Sequence, residues 1–264
     1  MHNFEYHRPT SVADAVQSLK GAEDGKILAG GMTLIPTLKQ RLAAPSDLID
    51  LGAIAELKGI KDEGGMITIG AATPHAMVAE SEVVRRVIPA LADLAEGIGD
   101  PQVRNRGTIG GSIANSDPAA DYPAALVGLD ATVQTDRRRI KADDFFKGLF
   151  ETALEEDEIV TAVSFPKPEK ACYAKFPNPA SRYAMVGVMV ARAGGAVRVA
   201  VTGAGPCVFR LPEMEQALSG NFSPDAIKGI EISADGLNSD IHGSAAYRAH
   251  LVSVMARRAV TDCA

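Results

Sequence analysis

The sequence predicts a two-domain α/β fold, on three observations. Helix and strand signals alternate from the first residues. A charged, proline-rich stretch, "PKPEK" at residues 166–170, separates two textures of sequence. Beyond it, two apolar strand signals share a Gly-Gly turn, and helical stretches close the chain. The 264 residues are enough for two ordinary domains, with the division near residue 168.

In chain order, Ser11 can cap a helix through Lys20, with Asp14 completing a box-like start and Val12, Ala15, Val16 and Leu19 on one face. "KILAGG" reads as a short buried strand ending in glycine. Thr33 reads as the N-cap of "LIPTLKQRL", where Pro36 is tolerated because first-turn amides have no helical partner. "DLIDLG" supplies another strand, so residues 1–53 form a small β-α-β-like unit. "MITIGAAT" is a strand, and residues 81–97 form an amphipathic helix with Val84, Val87, Ile88, Leu91 and Leu94 inward. A double-glycine loop, "TIGGSIANSDPAAD" at 108–121, follows. Residues 122–129 read as helix, "ATVQT" as extended, and "EIVTAVSFP" as a strand ending at Pro166. In the second part, "YAMVGVMVARAGGAVRVAVTGAG" gives two strands joined at Gly194–Gly195, before helices near 211–219 and 244–260.

Composition narrows the function classes. Hydrophobic content of 46% and charged content of 23% are those of a globular protein. A net charge of -6 argues against general nucleic-acid binding, which needs a concentrated basic face. The run Arg137–Arg138–Arg139 reads instead as a solvated turn between strands. No stretch approaches the roughly 20 apolar residues of a membrane span, and the N-terminus lacks the basic start and apolar core of a signal peptide. Cys172, Cys207 and Cys263 lie far apart in the sequence and form no metal or cluster motif, so a reducing, cytoplasmic location is expected. No P-loop, zinc-protease histidine pair or nucleophile elbow is present. "TGAGPCVF" has Val208 where a dinucleotide fingerprint needs its third glycine, so it reads as a turn. His75 reads as a capping or packing residue. No catalytic residue and no metal ligand is expected.

Two glycine pairs remain, Gly30–Gly31 and Gly110–Gly111. A phosphate needs several backbone N–H donors converging on it, and adjacent glycines clear the approach and permit positive φ. The first pair precedes a capped helix, whose dipole favours an anion. No acidic residue occurs from Val103 to Ser116, where Arg104 and Arg106 stand, nor from Lys26 to Ser46. Asp121 breaks the pattern and suits a sugar or ribityl hydroxyl. An anion site and a pair of ordinary tight turns are the two readings; Gly64–Gly65 and Gly194–Gly195 take the second.

The motifs "LAGGMTLIPTLKQRL", "IGAATPH", "DPQVRNRGTIGGSIANSDPAADYPAAL" and "YAKFPNPASRYAMVGV" run nearly end to end, with a terminal "SAAYRAHLVSVMARR". Through them the chain resembles the FAD-binding medium subunit of the molybdenum hydroxylases, the xanthine dehydrogenase and aerobic carbon monoxide dehydrogenase group. The resemblance implies a two-part FAD domain of the vanillyl-alcohol-oxidase/PCMH type over 1–168 (1–53 and 54–168). A C-terminal domain over 169–264 would carry a three-stranded antiparallel sheet and helices. It implies that Ala29, Gly30, Gly31, Met32, Thr33 and Leu34 line the pyrophosphate and ribityl part of FAD. Thr108, Gly110, Gly111, Ser112 and Asn115 would form the second loop, with Asp121 bonding ribityl or ribose hydroxyls. Val160 and Lys175 match positions that reach the flavin ring, Tyr183 would lie over the isoalloxazine, and Ile98 would give adenine plain apolar packing.

The implied activity is electron relay. A large subunit with a molybdenum–pterin centre would oxidise the substrate, and a small subunit with [2Fe–2S] clusters would pass electrons to the FAD of this chain. The FAD would then reduce an external acceptor, in a dimer of heterotrimers. The three scattered cysteines exclude the iron–sulfur insert of relatives that reduce aromatic thioesters, and "KFPNPASRY" replaces an "Arg-x-Gly-Asp" type segment. Substrate (carbon monoxide, purine, aldehyde or N-heterocycle) and acceptor (quinone, NAD or oxygen) stay open. The rival readings are a stand-alone flavin oxidase, for which the chain is short, and a flavin-free scaffold, against which the intact glycines argue.

Overall fold

The computed structural model describes residues 1–263. It opens with β1 (Glu5–His7), α1 (Val12–Gly21), β2 (Gly25–Leu28), α2 (Leu34–Lys39) and β3 (Asp47–Asp50). The three strands form a wholly parallel sheet of order β1-β3-β2. Strand β1 was not expected from the sequence: it has three residues, too few for a periodic signal. Ser11 caps α1 as expected; its Oγ accepts from the Asp14 N–H at 3.1 Å and donates to the Asp14 carboxylate at 2.7 Å. Helix α2 differs. Thr33 has helical backbone angles and its hydroxyl makes no capping bond, and Arg41 at φ 60° ends the helix short of Leu42.

The middle part holds β4 (Ile60–Glu63), β5 (Met66–Gly70), α3 (His75–Glu80), α4 (Glu82–Val87), α5 (Pro89–Glu96), α6 (Pro101–Arg106), α7 (Ile109–Asn115) and α8 (Tyr122–Gly128). After these come β6 (Thr132–Thr135), β7 (Arg139–Lys141), α9 (Ala142–Phe145), β8 (Phe146–Gly148), β9 (Glu151–Thr152) and β10 (Val160–Pro166). Five strands make an antiparallel sheet, β4-β5-β10-β6-β7, with β8 and β9 a separate hairpin. The single helix expected over 81–97 is two. Ile88 leaves the helical region (φ -137°, ψ 67°) because Pro89 disfavours it there, and Pro89 then starts α5. Of the residues expected inward, Val84, Ile88, Leu91 and Leu94 are buried and Val87 is half-buried against the same core.

Gly110 and Gly111 do not form a loop. They lie in the first turn of α7, capped by the Thr108 hydroxyl accepting from the Gly111 N–H at 3.1 Å. Gly64–Gly65 and Gly194–Gly195 do turn hairpins, all four at positive φ. The arginine turn lies between β6 and β7 but is ion-paired: Arg137 meets Asp136, Glu155 and Asp157, and Arg138 meets Glu158.

The last part is β11 (Lys170–Pro177), β12 (Ala184–Ala193), β13 (Ala196–Thr202), β14 (Phe209–Arg210), α10 (Pro212–Gly220) and α11 (Ala245–Asp262). Its antiparallel sheet, β11-β12-β13-β14, has three long strands and a two-residue fourth. Strand β12 is buried from Ala184 to Ala191, which explains its unbroken apolar run: both faces of the sheet are covered. Val186, Val188 and Val190 join Met255, Ala256 and Val260 of α11 on one side. Met189, Ala191 and Ala200 join Leu91 of α5 and Leu126 of α8 on the other. Gly128 lets α8 approach this face, since a Cβ there would lie 2.6 Å from Met189 Cγ. Cys172 and Cys263, remote in sequence, are free thiols close enough to perturb one another, and burial, above all, raises the pKa of each.

Candidate functional site

A cleft of about 650 Å³ lies where the first sheet, α7 and the start of the last sheet converge. Its first wall is the turn from β2 into α2. Gly31 adopts φ 74°, a conformation that side chains resist. Gly30 serves a different need: a Cβ there would overlap the Arg106 carbonyl and the Gly107 backbone, so its bareness lets two stretches of main chain lie together. The N–H groups of Gly30, Gly31, Met32, Thr33 and Leu34 donate to no described residue. With Ala29 they line the cleft. Five consecutive free amides at its edge form an acceptor-seeking surface of the kind that holds phosphate oxygens.

The second wall, α7, works otherwise. Its leading amides are already used: Ile109 N–H donates to Thr73 O (3.2 Å), Gly110 to Ala71 O (2.8 Å), Gly111 to Thr108 Oγ1 and Ser112 to Thr108 O (3.0 Å). This corrects the expectation of two amide cradles. Packing requires only the first glycine, since a Cβ on Gly110 would sit 2.5 Å from Ala71 Cβ; one on Gly111 would lie 3.0 Å from the capping Thr108 Oγ1 and 3.8 Å from Ala29 Cβ across the cleft, the latter an ordinary contact distance. The wall offers side chains. Thr108, Ser112 and Asn115 line the cleft, and the Ser112 hydroxyl and Asn115 amide bond no described residue.

At the far end Asp121 is 4% exposed and lines the cleft. It is not the free acceptor expected: Tyr173 donates to Oδ1 at 2.5 Å and Lys175 to Oδ2 at 2.8 Å. Burial raises its pKa, against the lowering influence of Lys175 and then Tyr173. Lys175 itself does not line the cleft; it stands behind Asp121 and also donates to Gly97 O at 3.1 Å. Val160 and Ile98 do line it. So does Tyr183, 45% exposed, whose pKa is raised by burial and by Asp117 and Asp121. The loop carrying it is pinned by Arg182, which donates to Gly99 O at 3.3 Å.

The acid-free stretches do not translate into cationic walls. Arg104 turns to the Ile98 and Gly99 carbonyls, and neither Arg104 nor Arg106 lines the cleft. Only Lys26 and Arg182 bring positive charge to it. Fifteen of the sixteen residues named from sequence line this one cleft, Lys175 being the exception. Two contributors were missed. His75, 4% exposed, lines the cleft with its ring 5.4 Å from that of Tyr122 and its Nδ1 unpartnered, and burial, then Arg104, lowers its pKa to about 4. Tyr173 could have been found by alternation, since it shares a face of β11 with Lys175. Among the described residues no cluster of His, Cys, Asp and Glu is placed to hold a metal, and no helix is long and apolar enough to cross a membrane.

Comparison with known proteins fits this geometry. Residues 2–168 match the family described as the FAD binding domain in molybdopterin dehydrogenase, and residues 171–263 match the CO dehydrogenase flavoprotein C-terminal domain. The chain is 38% identical over 273 residues to the nicotine 6-hydroxylase medium subunit of Paenarthrobacter nicotinovorans, covering 98% of this chain and 96% of that protein. It is 36% identical to the carbon monoxide dehydrogenase medium chain of Hydrogenophaga pseudoflava, covering 97% and 96%. Among solved structures, carbon monoxide dehydrogenase from Hydrogenophaga pseudoflava lacking the Mo-pyranopterin moiety superposes with a TM-score of 0.91 at 37% identity, covering 99% and 97%. Quinoline 2-oxidoreductase from Pseudomonas putida 86 gives 0.89 at 29%, covering 99% and 96%.

Proposed function

Since the chain belongs to the family of FAD-binding medium subunits of molybdenum hydroxylases, we propose that its cleft holds FAD along the two walls described. As a member of that family it is an oxidoreductase subunit with FAD as cofactor. One observation carries the placement: Gly30 to Leu34, with unpartnered amides, line the same cleft as Ser112 and Asn115, whose side chains bond no described residue. The residues fit the group. The amides suit the pyrophosphate, the hydroxyl and amide side chains with Asp121 suit ribityl and ribose hydroxyls, and Ile98 and Val160 suit the flat apolar rings.

Bound FAD supplies electron storage and transfer; the chain contributes placement and tuning. Gly30 to Leu34 would fix the pyrophosphate, and Tyr183 would cover one ring face. No residue of this chain is assigned acid or base work. Electrons would come from the [2Fe–2S] clusters of a small subunit, fed by substrate oxidation at a molybdenum–pterin centre in a large one, and leave to an external acceptor. A dimer of heterotrimers in the cytoplasm, and a division of the chain near residue 168, complete the reading. Because relatives are named for nicotine, carbon monoxide and glyceraldehyde, the substrate is set by the partner rather than by this cleft.

The test is FAD uptake by the purified chain, followed by flavin fluorescence and checked against Gly111→Val. That side chain would fill the gap toward Ala29, and overpacking of about 3 kcal/mol corresponds to a loss of roughly 100-fold in affinity. Undiminished FAD affinity in a folded Gly111→Val protein would refute the placement.

A further inference from the structure

Tyr173 lies on the first strand of the C-terminal sheet, outside both glycine motifs, yet its hydroxyl donates to the carboxylate at the end of the cleft. Lys175, two residues on and on the same face, takes the other oxygen. The neighbouring strand makes room for this contact, because a Cβ on Gly187 would fall on the Tyr173 hydroxyl. Asp121 stands at the N-cap position of α8, but its side chain makes no capping bond, so helix amides do not compete for it. A carboxylate offers about four acceptor positions; two are taken from behind, which leaves others for the cleft.

We infer that Tyr173 is a positioning residue for ligand binding: with Lys175 it fixes the Asp121 carboxylate so that its remaining lone pairs meet ligand hydroxyl groups, making the C-terminal sheet part of the binding site. The inference rests on the reading that the cleft holds FAD. Left alone, so buried a carboxyl would hold its proton and present a donor where an acceptor is needed. The groups acting on it are Tyr173 and Lys175 from β11, Tyr122 from α8 and Tyr183 from the loop before β12, the last also influenced by Asp117. Of these, Tyr173 and Lys175 favour the ionised form.

The experiment is FAD titration of the full chain between pH 5 and 8, with Tyr173→Phe, Asp121→Asn and the double variant. Removing the Tyr173 donor raises the pKa of Asp121, so Tyr173→Phe should bind roughly tenfold more weakly at pH 7, and its loss of FAD on acidification should begin at higher pH. Adding Tyr173→Phe to Asp121→Asn should change little. A uniform loss of affinity with an unmoved pH profile would mean a structural role only and overturn the inference, as would an unchanged affinity. Should Tyr173→Phe not fold, Gly187→Ala, whose Cβ would overlap the Tyr173 hydroxyl and Cζ and so disturb the same bond, carries the same expectations. If Asp121→Asn and Gly111→Val also bind FAD like the parent, the reading of the cleft fails; if they bind weakly while Tyr173→Phe binds normally, only the role of Tyr173 fails.

Discussion

At the residue scale, His75 and Glu158 set opposite ends of the acid response. The folded pKa of His75 is lowered to about 4 from 6.5, so the unfolded chain takes up a proton that the folded chain refuses. Stability should therefore fall by up to about 3 kcal/mol as pH drops from 6.5 toward 4, and His75→Asn should flatten that part of a denaturation-against-pH curve. Glu158, whose side chain is fully buried, is gripped in a fork by Arg138 and accepts from Thr135; the Arg138 bond, above all, lowers its pKa to about 2. Its contribution is present above its ordinary range and disappears as pH falls from about 4.5 toward about 2. Arg138→Met should lower the denaturant midpoint at neutral pH and move the acid limb upward, as read by circular dichroism. Which residues gather at the cleft was largely legible, the glycine pairs from local pattern and the rest from the family resemblance. What each does there was not. Asp121 meets partners more than fifty residues later in the chain, and no local pattern reveals that Arg104 turns away from the cleft.

At the element scale, the two glycine pairs separate by substitution. Gly30→Ala places a methyl group on main chain that cannot step aside, and should cost about 2–3 kcal/mol in folding stability whatever its effect on FAD; urea unfolding of the FAD-free chain measures it. Gly111→Val should spare that stability by comparison. Periodicity located the 81–97 segment, the hairpins and the terminal helix, since repeating apolar positions survive in one dimension. The break at Ile88 was written in Pro89 but outweighed by the pattern around it. The helical form of Gly110–Gly111 could not be read, because glycine favours a loop and only contact with Ala71 and the Thr108 cap holds a helix there. Strands of three residues or fewer, such as β1, β8 and β14, owe their existence to neighbours already in place.

At the scale of the whole molecule, one hydrophobic cluster runs from Ile67 of β5 through Leu126 of α8 to Met189 and Ala200 of the last sheet, across the proline-rich stretch at 166–170. The chain should therefore unfold in one calorimetric transition, with FAD raising its midpoint as a whole; two separated transitions would contradict a shared core. The amides of Gly30 to Leu34 belong to the first sheet's unit, Asp121 to the middle of the chain, and Tyr173 to the last sheet, so the cleft exists only where all three meet. The free donors at Gly30 to Leu34 are main-chain amides. Their chemical meaning therefore does not depend on the letters at Met32 or Leu34, which can drift among residues of similar bulk while the grip stays the same. Two proteins of this shape could share no side chain there and still recognise one guest, the address being carried by the path of the chain.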